Sequence, residues 1–270
     1  MLQAVKPDTL SAAAAPPAQS AAIAVRHVVK TFAGRHAVRA LDDVDLAIRP
    51  HEFVSILGPS GCGKSTLLRI VAGLTPYEGG EVLVNERPVR GPSPEIGVVF
   101  QSSNMLPWLT VGQNLALGCK LRRIPAAHAA PKIAALTEML GLKGFENNHP
   151  HQLSGGMRQR AAIGQVLALD PQILLMDEPF GALDALTRDK LNVELLRIWQ
   201  EQRQTVLLVT HSIAEAVFLS DRVLVMSGRP GKVVREVRID LPRPRLPERI
   251  KEDPRYGEYI SELSRLMGVY

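Results

Sequence analysis

The chain has 270 residues, 46% of them hydrophobic, and its 32 Lys and Arg against 27 Asp and Glu leave a formal charge of +5. This is the composition of an ordinary globular protein with a real core, in one large domain or two modest ones. Its longest apolar runs, such as Ile173-Leu174-Leu175-Met176 and Val206-Leu207-Leu208-Val209, are strand-sized and fall far short of the roughly 20 residues a membrane-crossing helix needs. With only two cysteines and no metal-site spacing of Cys and His, no disulfide framework is expected, which suits a reducing cytosol.

Residues 1–20 read as a disordered leader, because Asp8, Pro16 and Pro17 interrupt an alanine run that would otherwise resemble a signal-peptide core. From Leu41 to Arg49 the residues Val44, Leu46 and Ile48 alternate with Asp45, Ala47 and Arg49, the pattern of a half-buried strand in an antiparallel setting. Phe53-Val54-Ser55-Ile56-Leu57 predicts a buried parallel strand, then a glycine-rich loop, then a helix from Thr66. Val82-Leu83-Val84 before Asn85-Glu86 predicts a short strand and turn. Residues 96–100, 173–177, 205–210 and 222–226 are apolar runs that predict central parallel strands covered on both faces.

Between them, segments around 112–120, 131–141 and 157–169 carry helical spacing and form a helical insert. Leu186, Leu191, Leu195, Ile198 and Trp199 continue that spacing into an amphipathic helix. Gly228-Arg229-Pro230-Gly231 must turn, and Val233, Arg235, Val237 and Ile239 then alternate as an edge hairpin. Leu241-Pro242-Arg243-Pro244-Arg245 forbids regular structure. Positive charge is densest in this tail, and it reads as a solvated face. The order of elements predicts an α/β fold with a parallel core sheet, an antiparallel β portion at the N-terminal side and a helical subdomain at about 103–165.

Three motifs carry the chemistry. Gly58-Pro59-Ser60-Gly61-Cys62-Gly63-Lys64-Ser65, followed by Thr66, matches the loop that wraps a nucleotide's phosphates between a strand and a helix. Its glycines let successive N–H groups turn inward, and the helix N-terminus adds its dipole and free amides. Lys64 brings a positive charge to the β- and γ-phosphates, and the Ser65 hydroxyl is a natural Mg²⁺ ligand. Asp177 and Glu178 end an apolar strand, and alternation sends their carboxylates in different directions. Asp177 reads as the metal-side acid and Glu178 as the general base for water. Ser154-Gly155-Gly156, before the helix through Arg158, makes a second anion-binding helix N-terminus. One triphosphate rarely needs two such sites unless the second belongs to a neighbouring copy.

With these motifs in this order, residues 21–245 resemble the ATP-binding subunit of an ABC transporter, a P-loop NTPase, and leave 246–270 as a C-terminal tail. The resemblance also covers Gln101, Leu153-Ser154-Gly155-Gly156, Gly181-Ala182-Leu183-Asp184 and His211. It implies ATP and Mg²⁺ as cofactors. Phe32 would stack on adenine, Gln101 would ligate Mg²⁺ and sense the γ-phosphate, Asp184 would lie across a dimer contact, and His211 would hold Glu178 and the attacking water in line. It further implies a head-to-tail homodimer, each ATP held between one copy's phosphate loop and the other's signature. The chain would then sit on the cytoplasmic face of the inner membrane, against two permease subunits served by a periplasmic or lipid-anchored solute-binding protein.

Two departures from the family pattern stand out: Met157 where Gln is common, and Gly164-Gln165 where Ala-Arg is usual. Phe100 to Val111, and Arg229-Pro230-Gly231 with Asp240 to Arg245, resemble the importer subfamily for nitrate, sulfonates including taurine, and bicarbonate, which also includes importers of thiamine-pyrimidine precursors. Met105, Leu106, Trp108 and Leu109 form an apolar cluster suited to receive a helix of a membrane subunit. The alternative of another class, a soluble ABC-type ATPase acting in DNA repair or translation, usually carries zinc cysteines, a long coiled-coil insertion or two cassettes. This sequence has one phosphate loop and only 89 residues between Lys64 and Leu153 (153 − 64), so no nucleic-acid partner is expected.

Overall fold

The computed structural model describes residues 21–34, 36–181 and 183–268; the expected leader at 1–20 lies outside them. The chain opens with two long strands, β1 (Ile23–Phe32) and β2 (Val38–Ile48), paired antiparallel. Val44, Leu46 and Ile48 of β2 are buried and Asp45 is exposed, as the alternation requires. β3 (Phe53–Leu57) starts a second sheet and leads through the glycine-rich loop into α1 (Lys64–Val71). β4 (Gly79–Val84) and β5 (Arg87–Pro88) return to the first sheet, giving the order β2-β1-β4-β5. They are joined by Asn85 and Glu86, both at positive φ (47° and 64°), the backbone a two-residue hairpin demands.

The second sheet adds β6 (Ile96–Val99), β7 (Ile173–Asp177), β8 (Thr205–Val209), β9 (Arg222–Met226) and β10 (Val233–Arg238), in the order β10-β9-β3-β8-β7-β6. Five of the six run parallel, and β10 is antiparallel at one edge. β3, β7, β8 and β9 are buried along their whole length. β6 forms the other edge and is only half-buried. The sheet is the middle layer of the molecule. Phe53 and Leu57 of β3 face the apolar cluster under the helices, whereas Val54 and Ile56 face a second cluster under the antiparallel sheet and α1. This arrangement sends the loops at the carboxyl ends of the parallel strands to one edge, where ligands bind in open α/β sheets.

Three helices form the insert: α2 (Val111–Leu121), α3 (Ala126–Met139) and α4 (Gly155–Leu167). Gly164 explains one departure from the family pattern. A Cβ there would lie 2.6 Å from Leu140 Cδ1 and 3.3 Å from Leu115 Cδ2, so the bare backbone lets α4 approach its neighbours. Met157 packs its thioether against the core. In α5 (Ala185–Gln202), Leu191, Leu195 and Ile198 are buried as expected, but Leu186 is 76% exposed and lies outside the buried face.

After α6 (Ile213–Leu219), the tail forms α7 (Pro247–Glu252) and α8 (Pro254–Leu266). Tyr256, Tyr259, Ile260 and Leu263 set α8 on the same core as α6. The expectation of a solvated cationic face fails at two residues. Arg243 lies over the Trp199 ring at 4.2 Å and pairs with Asp221 at 2.8 Å. Arg245, 3% exposed, donates to the carbonyls of Val217, Phe218 and Ser220 and, from its other terminal nitrogen, of Ile239 and Leu241. Burial pulls its guanidinium down to about 10, which leaves it charged at neutral pH. Several orphan carbonyls at the end of α6 and the start of the tail thus share one cation.

Candidate active site

The phosphate loop joins β3 to α1, and its shape depends on two glycines in the left-handed region, Gly61 (φ 74°) and Gly63 (φ 107°). A Cβ on Gly63 would sit 2.7 Å from Leu41 Cδ2 and 2.9 Å from Ala40 O, so both backbone angle and space exclude a side chain. Gly58 is packed between Cys62 and Met226, and Cys62 is buried beneath the loop. Lys64 is buried at the start of α1, and its Nζ donates to Gly58 O (2.7 Å) and Pro59 O (2.9 Å). Its ammonium is therefore held inside the loop's curve.

The two adjacent acids diverge, as strand alternation requires. Asp177, 2% exposed, accepts a 2.7 Å hydrogen bond from Ser65 Oγ. Burial pushes its carboxyl above the ordinary carboxylate range, and the Ser65 bond offsets part of that. Glu178 follows in the left-handed region (φ 46°), with its N–H on Val209 O at 2.8 Å. The turn aims its side chain elsewhere. Glu178 Oε2 accepts from Gln101 Nε2 at 3.1 Å and lies 3.3 Å from His211 Nδ1. Three polar side chains from the ends of β6, β7 and β8 converge there.

A cleft of about 380 Å³ collects Phe32, Ser60, Gly61, Gly63, Lys64, Ser65, Thr66, Gln101 and Glu178. Phe32 is 45% exposed at its rim, with Lys30 Nζ 5.1 Å from the ring centroid. An exposed aromatic face beside a phosphate-shaped loop suits a planar base on one side and a polyphosphate on the other. Arg229 also lines the cleft, a position that neither its turn nor the importer-like Arg229-Pro230-Gly231 stretch indicates from sequence.

The second group does not join this cleft. Ser154 caps α4, its Oγ accepting from Met157 N–H at 3.2 Å, and Gly155 and Gly156 form the first turn. Asp184 caps α5 by accepting from Thr187 N–H at 2.9 Å, and those backbone bonds hold its carboxyl below the usual range. Ser154, Gly155 and Asp184 are exposed. A Cβ on Gly156 would lie 2.9 Å from Leu183 Cδ2, so the two caps share one surface. That surface presents helix N-terminal amides to the outside.

A sequence model of the family described as ABC transporter matches residues 41–181. The chain belongs to the ABC transporter family. An uncharacterized ABC transporter ATP-binding protein of Methanocaldococcus jannaschii is 50% identical over 222 residues, covering 82% of this chain and 83% of that protein. The nitrate import ATP-binding protein of Synechococcus elongatus is 43% identical over 239 residues, 87% of each chain. A solved dimeric bacterial ABC transporter cassette superposes with a TM-score of 0.74 at 35% identity, covering 81% of this chain and 99% of that one. The expected P-loop NTPase fold and the ATPase class are thereby established. Among the described residues, no helix of this ABC ATPase is long and apolar enough to cross a membrane.

Proposed function

We propose that this ABC ATPase powers an importer by hydrolysing ATP between two head-to-tail copies. One observation carries the reading. Phe32, the phosphate loop, Gln101 and Glu178 share one cleft, while Ser154, Gly155, Gly156 and Asp184 lie on a separate surface with unclaimed helix amides. Either half alone lacks what a triphosphate in hydrolysis requires, and two-fold pairing joins loop to signature twice.

In this reading Phe32 stacks on adenine, and Gly58, Pro59, Ser60, Gly61, Cys62, Gly63, Lys64, Ser65 and Thr66 form the phosphate cradle. Ser154, Gly155 and Gly156 of the facing copy meet the γ-phosphate, and Asp184 lies across the dimer contact. The residues present fit Mg²⁺: Ser65, Asp177 and Gln101 offer hard oxygen donors, and buried Asp177 stays above the ordinary carboxylate range although the Ser65 hydroxyl and the charges of Arg69 and Lys64 offset part of its desolvation. Bound there, Mg²⁺ would neutralise charge on the β- and γ-phosphates. Glu178 takes the proton of the attacking water, and His211 and Gln101 hold Glu178 in line from either side.

The permease side of the reading rests on a groove of about 280 Å³ at the edge strand β6. It is lined by Val98, Phe100, Leu117, Leu121, Gln165 and Val166, with Leu121 76% exposed. The apolar cluster read from the sequence divides: Met105 is buried in the core while Trp108 stays 69% exposed. We assign the groove to a helix of each of two permease subunits, which would hold the chain on the cytoplasmic face of the inner membrane. Gln101 starts the same loop, so the groove is connected to the γ-phosphate sensor. Nitrate, a sulfonate such as taurine, or a related solute would arrive through a periplasmic or lipid-anchored binding protein, and no nucleic acid takes part. Leu121→Asp puts a charge into the groove. It is expected to remove the protein from the membrane pellet when co-expressed with its permease, whereas wild type pellets. Equal pelleting of the two would remove the groove from the interface.

A further inference from the structure

The end of β9 and the loop that leads to β10 touch the phosphate loop at three places, and Arg229 of that loop lines the nucleotide cleft. Met226 meets Gly58, where an added Cβ would lie 3.1 Å from Met226 Cβ. Gly231 lies against Cys62, where a Cβ would stand 2.1 Å from Cys62 O. Gly231 is also fixed to β2, its N–H on Ala40 O at 2.9 Å and its carbonyl accepting from Asp42 N–H at 3.1 Å. Between these anchors, Arg229 donates twice to a single atom, Gly61 O, from Nε at 3.1 Å and from Nη2 at 2.9 Å.

A loop that cradles phosphate has to turn its N–H groups inward, and a carbonyl facing the cleft would repel phosphate oxygens. Gly61 is the residue where that error costs least, because its φ of 74° and missing Cβ leave the peptide free to turn. The carbonyls of Gly58 and Pro59 are engaged by Lys64, and Pro59 O also receives the Cys62 N–H at 3.3 Å. Gly61 O is engaged from outside the loop, by a charged donor on an anchored neighbour, the stronger kind of hydrogen bond.

We propose that Arg229 is a positioning residue for the nucleotide: its guanidinium holds the Gly61 carbonyl away from the cleft and so presets the loop for a β-phosphate. The proposal rests on the ATP-site reading above, and the two fail differently. Wild type without measurable ATP binding would sink that reading, whereas a wild type that binds ATP leaves Arg229 to be judged by its variants. Arg229→Ala is expected to raise the Kd of the full chain for both ATP and ADP about 10-fold by calorimetric titration, the loss of one charge-assisted bond. Because the defect lies in binding, kcat at saturating ATP should stay within about 2-fold of wild type while KM rises.

The weakening should also persist at 1 M salt, where the screening length falls to about 3 Å. Arg229→Gln keeps a donor without the charge. It is expected to bind ATP about 3-fold more weakly than wild type, and it carries the test should the alanine variant not fold. Wild-type affinity in either folded variant overturns the proposal. So does a loss confined to kcat, or a defect that vanishes at high salt and so reports general attraction of an anion.

Discussion

Glu178→Gln is expected to lower ATP turnover at saturating nucleotide by between about 10² and 10⁴, the range a positioned general base contributes. The substitution keeps the size of the side chain and an oxygen that can still accept from Gln101 and face His211, 3.1 and 3.3 Å from Glu178 Oε2. Only the basic oxygen is lost, so ATP should still bind and the paired state should accumulate. Steady-state phosphate release measures the first effect. Size-exclusion chromatography in ATP measures the second, with the variant eluting as a dimer. Turnover equal to wild type would remove Glu178 from the reaction and leave its left-handed backbone without a functional reason.

Lys64→Ala is expected to weaken ATP binding by about 10² or more, because a charged donor to phosphate is worth roughly 1.5–3 kcal/mol per contact. The ammonium is poised for this. It is 6% exposed and held at 2.7 and 2.9 Å by two carbonyls of the loop that would surround the phosphates. Removing it also leaves Gly58 O and Pro59 O without that donor, so the loop loses support as well as charge. Calorimetric titration with ATP gives the comparison, and an unchanged Kd would contradict the assignment of the phosphate site.

Most of this was legible in the residues, for reasons that differ by region. Buried parallel strands read as continuous apolar runs, so β3, β7, β8 and β9 were found within a residue or so of their ends. Periodicity misled where chemistry overrode it. The helix expected from 131 begins at Ala126, because Pro131 sits in its second turn and an interior proline argues against a helix. Leu186 continued the helical spacing past the face that packs. Arg245 stands in a proline-rich stretch, where no period marks burial, and its role as a donor to carbonyls at the end of α6 and just after β10 depends on the tail folding back over α6. Arg229 was hidden by distance along the chain: it is 168 residues from the Gly61 carbonyl it holds. The divergence of Asp177 and Glu178, in contrast, was expected from strand alternation, although the structure produces it at the end of β7, where Glu178 turns into the left-handed region.

The central claim is that each site is completed by a second copy, and mixing two defective proteins tests it most directly. Lys64→Ala leaves its signature surface intact, and Ser154→Arg, which blocks the exposed helix cap, leaves its phosphate loop intact. Each protein alone is predicted to hydrolyse almost no ATP. Together they form heterodimers in which the Ser154→Arg copy's loop meets the Lys64→Ala copy's signature, so phosphate release should recover on mixing and rise with the concentration of either partner. A mixture as silent as its components, or full turnover by Ser154→Arg alone, would contradict the account.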